Sequence, residues 1–148
     1  MKRQKSNEFN FNSLSFIKFP GGVVLKLNHK KLDVWQLAVK LVSTIYKITS
    51  KYPKEELFGL TNQTRRASTS ISANIAEGSS RKSLVERKRF YEISRSSLVE
   101  VDNHIEAAKE LGFLSNESLN ELDEKLNELF AKLSNFIEKP IRIKSFDV

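Results

Sequence analysis

The chain has 148 residues, 39% hydrophobic and 29% charged, enough for one soluble domain with its own core. It contains no cysteine, which excludes disulfides, thiolate metal sites and thiol nucleophiles and suits a reducing cytoplasm. The net charge of +7 suggests a nucleic-acid partner until it is located: residues 1–31 hold seven basic side chains against Glu8, whereas residues 32–148 hold 18 against 17 acids.

Residues 1–30 form a basic N-terminal arm without sustained period. Pro20-Gly21-Gly22 is a turn signal and Val23-Val24-Leu25 favours extension, so the arm reads either as a short strand or as disordered chain. No long apolar run follows Met1–Lys5, so neither a secretion signal nor a membrane span is expected.

From Leu32 the pattern turns helical. Trp35, Ala38, Val42, Ile45, Thr49 and Tyr52 form one stripe, and Val34, Leu37, Leu41 and Ile48 form another beside it. Pro53 ends this helix. A second helix is expected from about Lys54 to Glu77, carrying Leu57, Leu60, Ala67, Ile71 and Ile75, with Gly78 as the C-terminal cap. Ser83 and Glu86 spell a capping box for a third helix reaching about Leu111, with Leu84, Tyr91, Leu98, Val101, Ile105 and Ala108 on its seam. The fourth starts near Ser115 or Ser118, places Leu119, Leu122, Leu126, Leu129, Leu133 and Phe136 on one face, and stops before Pro140. Short turns between long helices favour an all-α, antiparallel up-down-up-down four-helix bundle over residues 31–139, with an N-terminal extension and a 140–148 tail.

Gln63, Arg66, Ser70, Asn74 and Glu77 recur at helical spacing on the second helix, and Ser97 and Glu100 sit amid a matching stripe on the third. Packing through a turn near Arg81 pairs positions whose numbers sum to about 162. That sets Arg66 within a turn of Glu100, and Ser70 and Asn74 opposite the start of the third helix. The preferred reading is a buried polar network, with an Arg66–Glu100 pair, that fixes helix register. A pocket or a solvated stripe would use the same residues. A second constellation is basic: Arg65, Arg81, Lys82, Arg87, Lys88 and Arg89, placed at the second-to-third turn and the start of the third helix, either as phosphate contacts or as a solvated helix end.

The stretches "LDVWQLAVKLVSTIYKIT", "LFGLTNQTRRASTSISANIAEGSSRKS" and "FYEISRSSLVEVDNHIEAAKELGFL" resemble the four-helix bundle proteins named after intervening sequences of 23S ribosomal RNA genes. The resemblance runs from Leu32 to Ile137 and is densest from Phe58 to Gly78. It implies a bacterial, small, all-helical protein without established catalysis. Related bundles accompany diversity-generating retroelements, and five-membered rings with a basic surface occur among them. Thr64, Ser94 and Ser96 depart from the family pattern, and the first 30 residues are extra.

The wide apolar arc of the first helix agrees with a homo-oligomer, in which a neighbour takes what the bundle interior leaves; a monomer whose first helix is covered by the N-terminal arm is the alternative. Glu100 and His104 lack a second carboxylate–histidine pair, so no metal centre is expected; His104 reads as a hydrogen-bonded core or boundary residue. No phosphate-binding glycine loop or nucleophile motif occurs, and no cofactor or enzyme activity is expected. The leading functional expectation is sequence-tolerant binding of RNA or structured DNA. The alternatives are an adaptor for a nucleic-acid enzyme such as a reverse transcriptase, and a ligand-free structural oligomer.

Overall fold

A computed structural model describes residue 25 and residues 27–139. The proposed strand and most of the basic arm, and the 140–148 tail, lie outside these residues. After a 3-10 turn at Asn28–Lys31 come four helices: α1 (Asp33–Thr49), α2 (Leu60–Ser80), α3 (Leu84–Glu110) and α4 (Asn116–Glu138). The three residues between α2 and α3 reach at most about 11 Å, far less than a helix length, so α3 must run back along α2. The five between α3 and α4 impose the same reversal. Ring contacts fix the rest. Tyr91 meets Phe136 at 4.7 Å, and Tyr52, just past α1, meets Phe113, just before α4, at 5.6 Å. At the other end Asp33 of α1 pairs with Lys132 of α4 at 2.8 Å. The helices pack in cyclic order α1–α2–α3–α4, each against its two neighbours.

The apolar stripes meet along the bundle axis. Ala38, Leu41 and Ile45 of α1, Ile71 and Ile75 of α2, Leu98 and Val101 of α3, and Leu122, Leu129 and Leu133 of α4 are all buried. The opposite side of α1, with Gln36, Lys40, Ser43 and Lys47, is exposed. Leu57 and Leu84, expected on apolar faces, are exposed because each lies before or at the first residue of its helix, beyond the reach of the core.

Helix boundaries correct the expectation at α2. Lys54–Glu56 is a separate 3-10 turn, and the Glu56 carboxylate accepts from the Leu60 amide at 3.0 Å, closing the start of α2. At the other end Gly78 lies inside the helix, buried, and not at its cap. A Cβ there would stand 2.7 Å from Tyr91 Cε1 and 2.9 Å from Phe90 Cβ, so glycine is present for close helix approach. The positive-φ glycine among the described residues is Gly112, after α3. Ser83 Oγ caps α3 by accepting from the Glu86 amide at 3.4 Å, the serine half of the expected box.

Candidate functional site

The basic turn is built by the end of α2 and the start of α3. Arg81 is half-buried: its guanidinium pairs with Glu77 one turn back and lies 4.8 Å over the Phe90 ring. The Arg81 carbonyl accepts from Arg87 Nε, so Arg87 ties the turn to α3. Each of these two arginines thus commits one guanidinium donor to holding the turn, and Arg81 Nε is buried without a partner. Lys82, Lys88 and Arg89 are exposed and in no ion pair among the described residues. They form a patch of three free cations at one end of the bundle, with Glu86 as the acid among them.

Arg65 does not belong to that patch. Sixteen residues separate it from Arg81, about 24 Å along a helix. It is half-buried against α1 instead, with Nε donating to Thr49 Oγ1 at 2.8 Å and the guanidinium 4.5 Å over the Tyr46 ring. Sequence order alone concealed this, because α1 supplies both partners.

The polar stripe divides. Ser70 and Ser97 hydroxyls lie 2.9 Å apart across the α2–α3 seam, and the Asn74 amide donates to Ser70 Oγ at 3.0 Å and to its carbonyl at 2.8 Å. Gln63, Arg66, Glu77 and Glu100 are exposed, and no ion pair joins Arg66 to Glu100. The face that α2 turns inward is Thr64, Ala67, Ser68, Ile71, Ile75 and Gly78, which rotates Arg66 out to solvent. The register also differs from a sum of 162: Ser70–Ser97 and Ser79–Tyr91 give 167 and 170. The shift follows from Gly78–Ser80 being helical, which moves the turn later, so Ser70 and Asn74 do not face the start of α3.

A row of buried hydroxyls completes the α2–α3 seam, and it includes Thr64 and Ser94, which stand out in the sequence as departures from the family pattern. Ser94 is fully buried and donates to the Ile71 carbonyl at 2.8 Å, a second link across the seam. Thr64 and Ser68, also fully buried, bond back to the carbonyls of Leu60 and Arg65 in their own helix. Small side chains that satisfy themselves this way let α2 and α3 approach closely with few buried donors left over. His104 is buried in α3, but its Nδ1 has no hydrogen-bond partner, contrary to the bonded histidine expected. No cluster of three or more metal-ligating side chains occurs, and no helix is long and apolar enough to cross a membrane, among the described residues.

With this geometry in hand, residues 30–135 match the family described as 23S rRNA-intervening sequence protein. A crystal structure from Bacteroides thetaiotaomicron VPI-5482, of a protein with unknown function from the S23 ribosomal protein family, is similar in fold. Its TM-score is 0.64 at 20% identity, covering 72% of this chain and 99% of that one. No curated protein matches the chain.

Proposed function

The chain belongs to the 23S rRNA-intervening sequence protein family, and from that premise we propose that it is a non-catalytic, self-associating bundle that binds RNA or structured DNA through the α2–α3 end. The observation that carries this reading is the patch of Lys82, Lys88 and Arg89, exposed and unpaired while their neighbours Arg81 and Arg87 hold the turn in shape. Cations in that state exchange bound counterions for phosphates, which gives affinity without base readout. Self-association, in a ring of five as the resemblance implies, repeats the patch and raises avidity along one strand. The bacterial cytoplasm is the compartment this reading assigns, in keeping with a cysteine-free chain.

The test is titration of the full chain into labelled RNA at about 50 and about 200 mM salt. Binding that weakens steeply with salt and tolerates sequence change supports the proposal. No binding at the lower salt overturns it. One observation favours a second reading: Val85, 79% exposed, and Leu84 beside it put apolar surface among the cations. An acidic protein partner, such as a nucleic-acid enzyme, would use both features. Copurification of one protein, without affinity for bare RNA, would select that reading.

A further inference from the structure

Two opposite faces of the bundle carry exposed apolar side chains, and their charges are opposite in sign. Between α1 and α2, the turn at Lys54–Glu56 projects Phe58, 88% exposed, with Leu57 beside it. The projection is held by backbone bonds, Leu57 to the Lys54 carbonyl and Gly59 to the Glu56 carbonyl. Arg65 and Arg66 line the same surface. Between α3 and α4 runs a groove of about 210 Å³. Leu98 and Leu126 line it, together with Val99, 53% exposed, and Phe130, 44% exposed. Asp102 and Asp123 complete it.

We propose that the Phe58 projection of one copy seats in the α3–α4 groove of a second copy, with Arg66 set against Asp102 and Asp123. Three features choose a second copy as the occupant. Arg66, Asp102 and Asp123 are in no ion pair within the chain among the described residues, so both faces keep charge available for a partner. The knob surface carries Arg66 and the groove carries Asp102 and Asp123, so the two faces are opposite in sign. In the cyclic order α1–α2–α3–α4 they also lie on opposite sides, so every copy offers one of each and the contact is head-to-tail. This inference rests on the self-association proposed above and adds to it the two surfaces and their polarity.

A head-to-tail contact has a signature that a two-fold contact lacks. Phe58→Asp removes the knob and leaves the groove; Val99→Lys blocks the groove and leaves the knob. Both sites are exposed, so both variants should melt within a few degrees of the parent. Arg66→Glu and Asp102→Lys are second variants if either misfolds. Mass is measured by light scattering after gel filtration of the full chain, for each variant alone and for the equimolar mixture. The expected result is an oligomeric parent, two monomeric variants, and a mixture that forms a one-to-one dimer through its single intact knob and groove. Variants that keep the parent's mass, or a mixture that stays monomeric beside an oligomeric parent, overturn this contact and leave self-association standing. A parent that is itself monomeric overturns both.

Discussion

Ser70 of α2 and Ser97 of α3 share a hydrogen bond of 2.9 Å, and Asn74 donates to the same Ser70 hydroxyl. Hydroxyl pairs of this kind demand one axial offset, because a slip of one residue swings the side chain about 100° around its helix. Apolar contacts are far more tolerant of such slips. The α2–α3 seam is therefore specified by small polar groups at a seam close enough for them to meet. Ser70→Ala and Ser97→Ala should each cost about 0.5–1.5 kcal/mol. The double variant should cost less than the sum, by about 0.5 kcal/mol or more, in denaturant melts. Strict additivity would show the pair to be uncoupled.

Gly78 tests the closeness of that seam. Its added Cβ would lie 2.7 Å from Tyr91 Cε1, nearer than van der Waals contact allows. In an exposed helix Gly→Ala stabilises by about 1 kcal/mol. Here Gly78→Ala should destabilise by about 1–3 kcal/mol through overpacking. Thermal unfolding of the single variant checks the sign.

Tyr52 is buried with a hydroxyl that lacks a partner, and burial pushes its pKa up to about 12. Burial raises Tyr91 in the same direction, its largest cause. The folded chain thus keeps these protons at a pH where the unfolded chain, with tyrosine near 10, has lost them. The contribution of these tyrosines to stability should be level between pH 7 and about 10 and fall as pH rises from there toward 12. Tyr52→Phe should reduce that alkaline loss and, at neutral pH, leave stability unchanged or raise it by about 1 kcal/mol. Melting temperatures across pH 7–11 for both proteins provide the comparison.

Arg65 and the basic turn should part company under mutation. Arg65→Ala removes the bond to Thr49 and the stacking on Tyr46, and should cost about 1–3 kcal/mol of stability. In RNA titrations at a temperature where the variant is folded, its salt dependence should match the parent's. A flattened salt dependence would return Arg65 to the phosphate-binding set.

The exposed trio should behave in the reverse way. Replacing Lys82, Lys88 and Arg89 together by glutamine should leave the melting temperature within a few degrees. The slope of log affinity against log salt should fall by about 2–3, close to one for each phosphate contact removed. An unchanged slope would move the binding surface elsewhere.

Much of this architecture was legible in residue spacing. The seams Ala38–Leu41–Ile45 and Leu122–Leu129–Leu133 repeat at helical intervals, and burial at the axis is the single arrangement that hides both. Ser83 and Ser115 marked helix starts because a side-chain oxygen before a helix meets a free amide wherever it occurs. Gly78 misled because glycine serves two purposes, a left-handed cap and a close approach, and only the neighbouring Tyr91 tells them apart.

What the sequence determined by itself was the number of helices, their inward apolar faces and the serine caps, all set by interactions within a few residues. Tertiary structure decided the rest: that Arg66 and Glu100 stand in solvent, that Arg65 leans on Tyr46 and Thr49, and that Ser70 reaches Ser97. Those outcomes depend on the rotation and axial offset of one helix against another. A stripe of polar residues at the edge of a buried face is compatible with several such offsets, and the hydroxyl-lined seam selects one through contacts between residues 23 and 27 positions apart.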